Sequence, residues 1–159
     1  MVGILGKMFR VFNVAGLSRE ARAGDRRPLQ LQINEAKRQL EVAQQSGHPD
    51  PGSILVHIDQ MTGLLLDRNQ QAQDLEKRGQ MDAAVALYES NIDDMFDGSL
   101  PYERLIDFYT QQGAKEDAER VARACLVHCT SGVSEKLRAR CLSTLELVPG
   151  LEDPTHDGQ

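Results

Sequence analysis

LPYERLIDFYTQQGAKEDAERVARACL, residues 100–126, lies in register with LEKRGQMDAAVALYESNI, residues 75–92, at a displacement of 34 residues. Gly79 returns as Gly113, Ala84 as Ala118, Leu75 as Tyr109 and Ile92 as Leu126. Each glycine stands where a run of apolar residues at three- and four-residue spacing stops. Glycine tolerates the left-handed backbone that follows a helix end. Each alanine comes five residues after its glycine, in the first turns of a new helix, where a small side chain lets two helices approach. A period of this length containing two helical stripes signals helix pairs that stack on one another.

On these residues the chain resembles the tetratricopeptide repeat family over about 66–128, under half of its length. Tyr102, Leu105, Tyr109, Gly113 and Ala118 fall on the family's bulky, Leu, Tyr, Gly and Ala positions. Ala122 and Cys125 fall on its aromatic and second small positions, so the aromatic is lost there. The earlier unit keeps Leu75, Gly79, Ala84 and Tyr88. It departs from the pattern at Arg68, Gln71 and Ala72 in its first helix, and at Asn91 in its second. The resemblance implies a concave groove lined by the first helix of each pair. Its lining would be Asn69, Gln73, Glu76 and Lys77 from one unit and Glu103, Asp107, Thr110 and Gln111 from the other. The acidic second set favours a basic or polar peptide. Asn69 and Gln73 stand where the family's carboxylate-clamp members carry Lys and Asn, so a chaperone-tail clamp is not expected.

Two such pairs leave apolar faces at both ends of the stack, and the flanking sequence supplies covers. Pro28 opens a helix whose stripe runs Leu29, Ile33, Ala36, Leu40 and Ala43 to about Ser46. The segment GHPDPG, 47–52, breaks it, with Asp50 or Ser53 as the next cap. Ile54, Ile58, Met61, Leu65, Ala72 and Leu75 then continue the four-three spacing with Arg68 as its one polar member; whether 53–78 is one helix or is broken near Gly63 is left open. A last helix, about Ser134 to Glu146, carries Leu137, Cys141, Leu142 and Leu145 on one side. The expected fold is therefore all-α: an α-helical hairpin, two tetratricopeptide-like helix pairs and a C-terminal capping helix, a short α-solenoid. It occupies 28–148, between a basic arm and linker, 1–27, and a tail, 149–159.

Composition narrows the function. The chain of 159 residues carries a net charge of −6. Residues 1–27 balance to +4, which leaves −10 on the rest. An acidic body is a poor nucleic-acid binder, because phosphate contacts need Lys and Arg. Within residues 1–17, a helix would gather Ile4, Leu5, Met8, Phe9, Val11, Phe12 and Ala15 on one side, with Gly3, Lys7, Arg10 and Asn13 toward the other. That is a candidate arm for a membrane surface or a protein partner, or for docking on its own domain. Three cysteines, an odd number in one C-terminal stretch, fit a reducing, cytoplasmic setting better than a secreted disulfide framework.

Constellations with chemical content are few. Cys125, His128 and Cys129 share a helix face, and Cys141 on the next helix would complete four zinc ligands. The spacing matches no zinc motif, and Cys125 occupies a packing position, so core thiols are expected and no metal or cofactor is assigned. His57 and Asp59 lie two apart and face different ways on a helix. Asp93, Asp94 and Asp97 lack the Gly and Glu of a calcium loop. They are read as a helix end and an Asp97-Gly98 turn, with Ser99 capping the next helix and Pro101 in its first turn. No phosphate loop, nucleophile elbow or HExxH pattern is present. The expected role is a protein-binding scaffold and not an enzyme. The rival roles are a membrane-peripheral adaptor using the arm and a small helical metal-binding protein. Self-association is a further expectation, since a short solenoid exposes apolar ends and the hairpin seam has coiled-coil spacing.

Overall fold

A computed structural model of the chain describes residues 25–46, 51–130 and 133–146. The arm and its residues Ile4, Leu5, Lys7, Met8, Phe9, Arg10 and Phe12 lie outside the described residues, as do Asp50 and the tail. Six α-helices and no strand make up the described part: α1 Leu29–Ser46, α2 Pro51–Lys77, α3 Met81–Asp93, α4 Leu100–Gln111, α5 Lys115–His128 and α6 Glu135–Thr144. Each helix packs chiefly on the one before it and the one after it in the chain, the arrangement of a short α-solenoid.

The 34-residue displacement holds at the level of backbone geometry. α2 ends at Lys77 and α4 at Gln111; α3 begins at Met81 and α5 at Lys115. Gly79 and Gly113 both adopt positive φ, +71° and +69°. At the first end the N–H of Gly79 donates to the Glu76 carbonyl and that of Gln80 to Leu75. At the second end Gly113 donates to Thr110 and Ala114 to Tyr109. This paired pattern satisfies carbonyls that a helix end leaves open, and it reverses the chain into the next helix. Ala84 and Ala118 are buried where the pairs close.

α2 is a single helix of 27 residues that runs through Gly63 without a break. Its length lets it serve two neighbours. Ile58, Met61 and Leu65 form a core with Leu29, Ile33 and Ala36 of α1. Ala72, with Leu75 packed alongside, belongs to the larger core of α3 to α6, where Tyr88, Tyr102, Leu105, Val121, Cys125 and Cys141 meet. α1 and α3 therefore lie along successive halves of α2, and the start of α1 meets the end of α3.

A buried polar cluster occupies that meeting point. Asp94, the C-cap of α3, is 0% exposed. Its Oδ1 accepts the N–H of Leu29 at 3.1 Å and its carbonyl accepts the N–H of Gln30 at 3.1 Å. Pro28 accepts the next two, from Leu31 and Gln32, so all four open donors of the α1 N-terminus are satisfied. A carboxylate suits the positive end of α1 but opposes the negative end of α3. Arg68 of α2 resolves the conflict: its Nη1 donates to Asp94 Oδ2 at 2.6 Å and to Asn91 Oδ1 at 3.3 Å. Asn91 Nδ2 in turn donates to the Leu65 carbonyl and to Asn69 Oδ1.

The loop after α3 also differs from its sequence expectation. Ser99 occupies the N-cap position of α4 but has helical φ and ψ and makes no capping bond. Asp97 instead accepts the N–H of Thr130, past the end of α5, at 2.7 Å. Pro101 sits in the first turn of α4 as expected. At α6 the Ser134 hydroxyl caps by accepting the N–H of Leu137, and Leu137 and Cys141 are buried against α5.

Candidate functional site

Alternation of helices makes two layers. Ion pairs between helices two apart in the chain mark each layer. In one, Arg104 Nε of α4 lies 3.6 Å from Glu76 Oε2 of α2, and Arg140 of α6 donates to Asp107 of α4. In the other, Arg120 of α5 donates to Glu89 of α3 at 2.7 Å, and Glu89 also accepts the Tyr109 hydroxyl at 2.6 Å. The first layer, α2, α4 and α6, contains the residues that the repeat resemblance assigns to a groove.

Those eight residues divide into three groups. Gln73 and Glu103 are half-buried, and Lys77, Thr110 and Gln111 are exposed. Lys77 also pairs with Asp74 on its own helix. Glu76 and Asp107 are bound to Arg104 and Arg140, so this face is charge-paired where the sequence suggested net acidity. The two arginines escaped notice because their partners lie 28 and 33 residues away along the chain. Asn69 is the correction: it is buried, and its side-chain oxygen accepts from Asn91 inside the α2–α3 interface. A residue committed there presents nothing to a groove.

Beneath the layer lie buried tyrosine and cysteine side chains. The Tyr88 hydroxyl is buried without a formed hydrogen bond. Burial, and then the Glu76 carboxylate, push its ionisation up to about 12. Cys125, Cys129 and Cys141 are buried free thiols. A hydrogen bond with Cys141, together with burial, holds the Cys125 thiol above its ordinary range. Burial raises Cys129 as well, and the negative charge of Asp97 adds to it. Raised and shielded from water, Cys125 and Cys129 are poor nucleophiles; the hydrogen bond from Cys125 instead lowers the Cys141 thiol, which is buried with them. His128 is half-buried beside them, and the described residues contain no group of three or more His, Cys, Asp or Glu side chains that could hold a metal. His57 lies on the exposed side of α2. No described helix is long and apolar enough to cross a membrane.

The face is thus polar and tied across its helices by ion pairs. No protein-family model, curated protein or solved structure matches the chain.

Proposed function

We propose that the chain is a protein-interaction module of tetratricopeptide type, whose α2–α4–α6 face holds an extended or helical segment of a partner protein. The observation that carries this reading is the pair of ion-pair ties, Glu76–Arg104 and Asp107–Arg140, which join three successive helices along one face. They fix the spacing of Gln73, Lys77, Glu103, Thr110 and Gln111 before any ligand arrives. Preorganisation lowers the ordering cost of binding. Amide, hydroxyl and ammonium groups at helical spacing suit the backbone and polar side chains of a peptide. The local pairing of acids with arginines favours a polar ligand over a strongly basic one. The proposed role is scaffolding and not catalysis.

The test is a displayed peptide library screened against the full chain, followed by titration calorimetry of the enriched peptides. Peptides binding with Kd of about 1–100 μM are expected. Thr110→Arg and Gln73→Arg place bulk on the face without touching the core, and each should weaken binding at least about tenfold, or 1.4 kcal/mol. Enriched peptides that ignore both substitutions would move the binding surface elsewhere.

A further inference from the structure

One side of α1 lies opposite the residues that the helix buries, Leu29, Ile33, Ala36 and Ala43. Along it, at spacings of four, three and four residues, run Leu31, Glu35, Arg38 and Val42. Leu31 is 40% exposed and Val42 63%, while Ile33, Ala36 and Ala43 of the same helix fill the core. The charged pair at the centre is already joined within the helix, Arg38 Nη2 to Glu35 Oε2 at 2.5 Å, with Gln39 donating to the other carboxylate oxygen. Beside the stripe lies a shallow depression of about 460 Å³ between α1 and α2, bordered by Glu35, Arg38, Val42, Ala43, Ser46 and Ile54.

The order along this stripe is apolar, acidic, basic, apolar. Placed antiparallel against itself about a two-fold axis midway between Ala36 and Lys37, it is self-complementary. Leu31 of one copy then lies level with Val42 of the other, and Glu35 level with Arg38, in four layers. A two-fold interface requires that the same patch complement itself, and four-three spacing is the spacing at which two helices mesh side by side. The parallel alternative sets Glu35 against Glu35 and Arg38 against Arg38, which like charge opposes. The Leu31 side chain of one copy also faces the depression beside Val42 of the other.

We infer that the occupant of this face is a second copy of the chain, joined through antiparallel α1 helices. The contact is short, about 16 Å of helix, so it belongs to the weak class of association, with Kd of about 10–300 μM. The interface leaves the α2–α4–α6 face open on both copies. It does not depend on the peptide-binding reading.

Sedimentation equilibrium on the full chain, from about 5 μM to about 1 mM, tests it. The mass should rise with concentration to twice that of one chain. Val42→Glu should hold the chain as a single copy throughout, with its circular dichroism and melting unchanged, because Val42 lies outside the core. Glu35→Arg and Arg38→Glu each set like charges together twice in the pair and should weaken it about tenfold. The double swap restores opposite charges and keeps the pair within the helix. It should return to within about threefold of the original affinity. A chain that stays single at all concentrations overturns the inference. So does association that Val42→Glu leaves intact, or a swap no better than either single change.

Discussion

Arg68 and Asp94 meet at 2.6 Å with both side chains withdrawn from water, where α1, α2 and α3 converge. The pair is best understood from the position of Asp94. Its side chain accepts the Leu29 N–H and its charge suits the positive end of α1, and that charge is tolerable at the end of α3 because Arg68 is beside it. Removing either partner takes the counter-charge from a buried ion, at a cost of about 3–5 kcal/mol. Arg68→Met and Asp94→Asn are each expected to lose stability in this range in urea unfolding. Asn keeps an oxygen to accept the Leu29 N–H, so that variant isolates the charge from the cap. The double variant should lose markedly less than the sum of the two. Additive losses would show that the two side chains act separately.

Glycines in this chain should respond to the same substitution with opposite signs. An added Cβ at Gly79, Gly113 or Gly63 meets nothing within 4 Å, so only backbone conformation distinguishes them. Gly79 and Gly113 have positive φ, where an L-residue costs about 1–2 kcal/mol. Gly63 lies in the interior of α2, where alanine gains about 1 kcal/mol over glycine. Gly79→Ala and Gly113→Ala should therefore lower the midpoint of urea unfolding and Gly63→Ala should raise it. A stabilising Gly113→Ala would mean that the turn between α4 and α5 is built differently.

How far the sequence made this legible depends on the range of the interaction. The helix stops at Gly79 and Gly113, the stripe of α1 and the start of the last helix near Ser134 are local, and local periodicity revealed them. The departures at Arg68 and Asn91 looked like decay of the second-closest repeat unit. In the structure they are partners: Arg68 donates to Asn91 as well as to Asp94, so one departure accounts for the other. That relation spans 23 and 26 residues, beyond what a stripe of hydrophobic spacing encodes. Asn69 was misplaced for the same reason: its position on α2 matches a groove residue, but the departure at Asn91 draws it inward. Thr110 and Gln111, with no such partner opposite, are exposed, as the resemblance implies for groove residues.

The three tyrosines should report alkaline unfolding. Each is raised above the ordinary phenol value of 10.0 chiefly by burial, Tyr88 and Tyr109 to about 12 and Tyr102 further still. Glu89, which accepts the Tyr109 hydroxyl, adds to its shift. Tyr102 donates to the Phe96 carbonyl at 2.9 Å, a bond that only the neutral phenol can make. Between pH 10 and about 12 the unfolded chain has lost these protons while the folded chain retains them. Stability is therefore intact below pH 10 and falls as pH rises through that window. Phenolate absorbance should appear in step with loss of helical circular dichroism, and later than in free tyrosine. Glu89→Gln removes the negative charge beside Tyr109 and should bring that phenol's ionisation partway back toward 10.0, leaving the burial contribution in place. Phenolate forming near pH 10 with the helices intact would show that Tyr88 and Tyr102 are open to water, which the packing of α3 against α4 does not allow.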